Sequence, residues 1–250
     1  MTTYTAEEKA IKEYFIQERG YWRPWTETLL RQHPRFLKAY ASYAGQPARQ
    51  GPLSPRMVEL IYVALDASST HLFAPGLHTH MTKALEAGAS AADILDVLHR
   101  VALQGLHCVY QGFEILAEET GQECIAECPP DLRTAIDHAP AALRARLARV
   151  AQMDPHYAQA VLELISVRPD QPGLSEQEHS LIDIALHACF SGFNATALRA
   201  DIRAALAGGV DRAGIMQAMA LGAHLSVHGT ALGATVYAEC AAEPAAPPSF

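Results

Sequence analysis

The chain has few charged and few aromatic residues, and no run of it is rich in lysine or arginine. Of its 250 residues only 18% are charged and 7% are aromatic, and the formal net charge at pH 7 is -8. An acidic chain without a basic patch is a poor partner for nucleic acid or for an anionic membrane surface. The scarcity of aromatic rings leaves no stacking platform that would indicate one particular ligand.

Cysteine is also scarce, and the five present form no evident disulfide framework. Cys124 and Cys128 are close in sequence, but no second pair would complete a zinc site, so we predict no bound metal. An odd number of unpaired cysteines favours a reducing cytoplasmic location. The charged N-terminal sequence MTTYTAEEKAIKEYF, which lacks the apolar segment of a signal peptide, agrees with that expectation.

Long uncharged runs are absent with one exception, which extends from Ala213 to Ala238. Its length would suffice to cross a bilayer. The run nevertheless contains polar residues along its length, at Gln217, His224, Ser226, His228 and Thr230. We therefore interpret it as a buried helix and predict that no membrane is a partner.

Half of the residues are hydrophobic, which is enough for a sizeable core, and the chain is similar to itself at an offset of 121 residues. LSPRMVELIYVALDA (53–67) returns as LSEQEHSLIDIALHA (174–188), and LHTHMTKALEAG (77–88) returns as LRADIRAALAGG (198–209). Self-similarity at a fixed offset is typical of a duplicated structural unit. The sequence therefore predicts two tandem repeats.

Each repeat has a helical pattern. Ser54 and Ser175 are candidate N-caps of the helices that follow them, and Gly88 is a candidate C-cap. Ser90 or Ala91 begins another helix, and no alternating strand pattern occurs. We predict an all-α fold, with N-terminal helices and the first repeat in 1–122, a degenerate second repeat in 123–240, and a disordered Pro/Ala tail in 241–250.

Three elements of the first repeat resemble the carboxymuconolactone decarboxylase family of the AhpD-like superfamily. They are the Glu-Leu-Ile motif at Glu59–Ile61, the H-x-x-x-A-L-x-x-G motif at His80–Gly88, and the glycine-containing helix segment Asp93–Gly105. The likeness covers 53–118 well and 174–239 more loosely. It implies an all-α helical fold, assembly into homo-oligomers, and sites that lie between helices.

The resemblance separates two known activities. Thiol peroxidases of this superfamily carry C-x-x-C before the histidine, but here those positions are Phe73 and Gly76, and Asn194 and Ala197 in the second repeat. Without a thiolate pair we predict no thiol peroxidase activity. The resemblance then implies a cofactor-independent decarboxylase that takes part in aromatic degradation. His107 replaces the proline of the family's Tyr-x-Gly-x-Pro run, which puts the specific muconolactone substrate in doubt.

Four side chains of the first repeat are the candidate catalytic groups, namely Glu59, His71, His80 and His107. A histidine on the apolar face of a helix could instead be a hydrogen-bonded core residue, and Glu59 could be solvated. If Glu59 is buried it needs a partner, and either His80 or His71 is suitable. We assign Asp66, seven residues after Glu59 on the same helix face, to substrate binding.

Comparison of the repeats favours one working site. Glu59 becomes Ser180, His71 becomes Gly192 and His80 becomes Asp201, whereas His107 persists as His228. We therefore expect catalysis in the first repeat and assign His228 to substrate binding. Two alternatives remain open: His107 and His228 could be structural, and Asp201 with Arg199 could form a divergent second site.

The implied reaction passes through an enolate of a small carboxylated lactone or a related cyclic or unsaturated acid. We predict that His80 donates the proton, that Glu59 orients it, and that His71 and His107 bind the substrate carboxylate or the enolate oxygen.

Two other classes of function stay open. Glu59 and the three histidines are acceptable metal ligands, although their spacing matches no metal motif. A non-catalytic helical binding or assembly protein would show no clustering of Glu59 with the histidines. We expect a homo-oligomer, either a trimer or a dimer.

Overall fold

The all-α fold predicted from the sequence is confirmed. The computed structural model describes residues 3–121, 127–139 and 141–242, and these residues contain helices and no strand. The helices are α1 (Ala6–Arg19), α2 (Pro24–Gln32), α3 (Pro34–Arg49), α4 (Pro55–Ala67), α5 (Ala74–Glu86), α6 (Ala91–Thr120), α7 (Pro130–Asp137), α8 (Ala141–Met153), α9 (Pro155–Ser166), α10 (Glu176–Ala188), α11 (Ala195–Ala207), α12 (Arg212–Ala223) and α13 (Val227–Ala242).

The chain divides into two compact units. The first unit contains the residues up to Pro52 together with those from Ala220 onward. Its core forms around Phe15, whose fully buried ring meets three aromatic neighbours edge-on at centroid distances of 5.4, 5.6 and 6.0 Å. These edge-on neighbours are Tyr21, Trp22 and Trp25. Edge-to-face packing of this kind stabilises a core beyond the area that it buries.

The second unit, Leu53–Met219, contains most of the two repeats. Helix α10 begins and ends 121 residues after α4, and α11 begins and ends 121 residues after α5. The helix bounds therefore reproduce the offset that the sequence shows. The predicted division into 1–122 and 123–240 follows this repeat and stays a prediction, whereas the boundary between the compact units falls within α12.

The helix ends follow the local signals in the sequence. The side chain of Ser54 accepts a hydrogen bond from the backbone N–H of Met57, and that of Ser175 accepts one from Glu178. Ser90 caps α6 in the same way, and Gly88 adopts a left-handed backbone, with φ of +92°, just beyond α5. Each of these contacts satisfies a backbone group that a helix end would otherwise leave without a partner.

The long uncharged run does not form the single buried helix that we expected. A 3₁₀ turn at His224–Ser226 divides it into α12 and α13, whereas the corresponding helix of the first repeat, α6, is continuous. None of the described helices combines the length and the apolar character needed to cross a membrane. Of the predicted tail, residues 241–242 end α13, and 243–250 lie outside the described residues, as does Cys124.

Two arginines join helices of the two repeats within the second unit. Arg56 of α4 binds Asp93 of α6, with Nη2 and Oδ1 2.7 Å apart, and Glu178 of α10, with Nη1 and Oε1 2.5 Å apart. Arg100 of α6 makes a two-point ion pair with Asp183 of α10. These partly buried pairs hold α6 and α10 together beside the cavity described below.

Candidate functional site

Glu59 and His80 are in direct contact. Helix α4 supplies Glu59 and the adjacent α5 supplies His80, and the Nδ1 atom of the imidazole lies 2.6 Å from Oε2 of the carboxylate. We assign the shared hydrogen to Nδ1, since an ionised carboxylate can only accept. The two side chains are 15% and 17% exposed, so the pair is neither sealed in the core nor freely solvated.

The His80 ring also packs against Tyr62, one turn along α4 from Glu59. The ring centroids are 4.5 Å apart, and Tyr62 itself is 2% exposed. Contact with a buried ring on one side and with a carboxylate at Nδ1 restricts the rotation of the imidazole. Nε2 is therefore the ring nitrogen that remains for a substrate.

His71 and Asp66 form a second imidazole–carboxylate pair. Asp66, in the last turn of α4, is 1% exposed, and its Oδ1 atom lies 3.6 Å from Nε2 of His71 in the turn that follows. Burial lowers the pKa of His71, which favours the neutral imidazole. The substrate-binding role predicted for Asp66 stays a prediction; its recorded partner is this histidine.

The positions that carry cysteines in thiol peroxidases are packed against this pair. A Cβ atom at Gly76 would overlap the carboxylate of Asp66 and the ring of Phe73. Any side chain at position 76, a cysteine included, would therefore require Asp66 or Phe73 to move. The glycine allows α5 to begin directly against the end of α4.

His107 lies in a different set of contacts. Its ring meets that of His187 at a centroid distance of 4.1 Å and an interplanar angle of 79°. It lines a cavity of about 650 Å³, whose described lining residues do not include Glu59, His71 or His80. Burial, followed by the nearby His187 and Arg146, lowers the pKa of His107 to about 3, so the ring is neutral at pH 7.

The remaining predicted residue, His228, lies on α13 and belongs to the first compact unit. Its assignment to substrate binding stays a prediction. Within the described part of Leu53–Met219, Glu59 thus contacts His80, His71 contacts Asp66, and His107 contacts His187.

A histidine–carboxylate pair of the second repeat is missing from the sequence-based set. Nδ1 of His187 on α10 lies 2.6 Å from Oδ2 of Asp201 on α11. Asp201 occupies the position of His80, and His187 occupies the position of Asp66. The first repeat therefore carries the acid on α4 and the imidazole on α5, whereas the second repeat carries the imidazole on α10 and the acid on α11. A search for exchanged residue types at the 121-residue offset would have identified the pair.

The described helices form an all-α fold that is similar to the fold of the carboxymuconolactone decarboxylase family. The model of the carboxymuconolactone decarboxylase family matches residues 34–109, which include Glu59 and His80. A crystal structure of a candidate gamma-carboxymuconolactone decarboxylase subunit from Burkholderia xenovorans is similar, with 26% identity and a TM-score of 0.80. That likeness covers 94% of this chain and 97% of the other.

No curated protein matches the chain. The family match and the structural neighbour together confirm the resemblance to the carboxymuconolactone decarboxylase family that the sequence indicates. At the level of the family, they support a decarboxylase-like lyase.

Proposed function

We propose that the chain is a cofactor-independent lyase that removes carbon dioxide from a small carboxylated lactone or a related cyclic or unsaturated acid. The observation that carries the proposal is the 2.6 Å contact between His80 and Glu59 on adjacent helices. A purely structural or assembly protein has no need for a partly exposed imidazole held by a carboxylate. Such a pair is a standard arrangement for general acid–base catalysis.

The proposed reaction divides into two steps. The bond between the ring carbon and the carboxylate breaks, carbon dioxide leaves, and the electron pair enters the conjugated lactone to give an enolate. A proton then passes from Nε2 of His80 to carbon, and a solvent proton restores the imidazolium. Glu59 holds the ring through Nδ1, so the proton-transferring nitrogen keeps one orientation.

The His71–Asp66 pair is proposed to bind the substrate while His80 supplies the proton. A neutral His71 can donate one hydrogen bond and accept another, which suits it to a carbonyl or enolate oxygen. Negative charge gathers on that oxygen as carbon dioxide departs, and a donor aimed at it stabilises the transition state. The Asp66 carboxylate, 3.6 Å from Nε2 of His71, would favour one orientation of that ring by charge attraction.

The test is the decarboxylation of carboxylated γ-lactones, gamma-carboxymuconolactone included, followed by release of carbon dioxide. We expect His80→Gln to lower kcat by about 10²- to 10⁴-fold, the range of a lost general acid. His78→Gln is the matched control, because His78 lies on the same helix with an exposed side chain. Wild-type turnover by His80→Gln, or no turnover of any lactone by the wild-type protein, would refute the proposal.

We also propose a homo-oligomer, either a trimer or a dimer, in the cytoplasm, with a role in the breakdown of aromatic compounds. Leu72 and Phe193, which occupy the same position in the two repeats, are 69% and 64% exposed, and Phe190 is 59% exposed. The two turns that bear them touch, since the hydroxyls of Thr70 and Ser191 are 3.3 Å apart. Exposed apolar groups gathered in this way are typical of subunit contacts.

Light scattering after size-exclusion chromatography tests the assembly. We expect a mass of two or three chains for the wild-type protein, and a shift towards the single chain for Phe193→Ser. A wild-type monomer at micromolar concentration would contradict this part of the proposal.

A further inference from the structure

A cavity of about 650 Å³ lies in the second unit, and its described lining includes neither Glu59 nor His80. Its walls come from α6, α8, α9, α10 and α11. Pockets of 300–1,000 Å³ are the usual size for small organic ligands. One part of its wall is apolar and is formed by Leu103, Leu106, Leu143 and Ile165.

The polar part of the wall includes a partly buried cation, Arg146, for which no ion pair occurs among the described residues. Arg100 is neutralised by Asp183, and Asp201 is engaged by His187. Among the described residues, the recorded contact of Arg146 is with the ring of Tyr110, 5.8 Å from its centroid, and no carboxylate forms an ion pair with it. A half-buried guanidinium of this kind can bind a carboxylate through two parallel hydrogen bonds.

Two buried polar atoms, one on a lining residue of the cavity and one on a residue that packs against the lining, also have unused hydrogen-bonding capacity. Within the described part of the chain, the hydroxyl of Tyr110 and Nε2 of His187 are buried and have no hydrogen-bond partner. His187 packs on His107 and Arg146 packs on Tyr110, and both His107 and Tyr110 line the cavity. Because buried polar groups normally find partners, this clustering indicates a place that is built for a polar ligand group.

We propose that this cavity is a second binding site, independent of Glu59 and His80, for a small organic carboxylate. The carboxylate pairs with Arg146, the neutral His107 ring donates a hydrogen bond to it, and the apolar part of the ligand contacts Leu103 and Leu106. The Asp201 carboxylate fixes the ring of His187, which in turn holds His107 from behind. The site thus combines α6 of the first repeat with helices of the second repeat, in which His187 and Asp201 stand at the positions of Asp66 and His80.

The test is titration calorimetry of the full chain with benzoate, and with benzamide as the uncharged probe of the same shape. We expect saturable binding of benzoate and at least tenfold weaker binding of benzamide. Arg146→Gln should weaken benzoate binding by about 10- to 100-fold, the effect of losing a charged hydrogen-bond donor. Arg144→Gln on the same helix is the control, because Arg144 does not line the cavity, and it should bind as the wild type does.

The variant His80→Gln separates this site from the proposed catalytic pair. We expect it to bind benzoate as the wild-type protein does, whatever its turnover of lactones. Loss of all benzoate binding in His80→Gln would place the ligand at the Glu59–His80 pair and overturn the inference. Absence of saturable benzoate binding to the wild type, or unchanged binding by Arg146→Gln, would overturn it as well.

Two further measurements follow binding in the wild-type protein itself. In the wild-type protein, benzoate should shift the nuclear magnetic resonance signals of the His107 ring, identified by their loss in His107→Gln, while benzamide should not. Inorganic phosphate should fail to displace benzoate. Unshifted His107 signals, or tighter binding of phosphate through Arg146, would show that the cavity is not a site for organic carboxylates.

Discussion

The substitution Gly76→Ala tests how closely α4 and α5 pack at the His71–Asp66 pair. A methyl group at Gly76 would overlap the carboxylate of Asp66, which is 1% exposed, and the ring of Phe73. Inserting a methyl group into such a contact costs about 1–3 kcal/mol. Gly112→Ala in α6 is the matched control, since a Cβ there meets nothing within 4 Å, and the better helix propensity of alanine should stabilise it by up to about 1 kcal/mol.

Thermal unfolding followed by circular dichroism compares the two variants. The gain in helix propensity is the same in both variants and cancels, so we expect a difference of about 1–3 kcal/mol between them. Since 1 kcal/mol shifts the Tm of a chain of this size by about 2–4 °C, Gly76→Ala should unfold roughly 2–12 °C below Gly112→Ala. Equal Tm values would show that the region around Asp66 tolerates a larger residue, and would refute the steric reasoning for the glycine.

Two pH-dependent predictions follow from the ionisable groups of the second unit. Burial alone would raise the pKa values of Asp93 and Glu178, but hydrogen bonds from Arg56 and the helix caps lower them below 3.8 and 4.5. The free energy of unfolding should therefore fall as the pH drops below these values, because the unfolded chain binds protons first. Urea unfolding should show a smaller fall for Arg56→Gln than for the wild type. The same pH dependence in both proteins would contradict this prediction. Folding lowers the pKa of His107 from 6.5 to about 3. The free energy of unfolding of the wild-type chain should therefore fall by about 1–2 kcal/mol more than that of His107→Gln between roughly pH 7 and 5. An equal fall in both proteins would contradict the buried neutral ring.

Much of the fold is predictable because its signals are local. Ser54 and Ser175 cap helices through their own neighbours, and the apolar spacing that follows them defines α4 and α10. The interruption at His224–Ser226 is not predictable in the same way, because the sequence there carries no proline and no feature that distinguishes it from a continuous helix.

The candidate site is predictable only in part. The contact between Glu59 and His80 agrees with the expectation that a partly buried acid takes an imidazole partner. The cavity beside His107 does not follow from the sequence, because its lining comes from five helices, and Arg146 belongs to none of the matched motifs. Sequence spacing defines neighbours along one helix, whereas a cavity depends on which helices pack together.

Glu59 and His80 are proposed to act as one proton-transferring unit. A double-mutant cycle on kcat/KM for lactone decarboxylation tests this proposal most directly. If Glu59 works only through His80, then Glu59→Gln should slow the wild-type enzyme but leave His80→Gln unchanged, so the double variant is no slower than His80→Gln alone. Rate losses that multiply in the double variant would show that the two side chains act independently, and would contradict the claim.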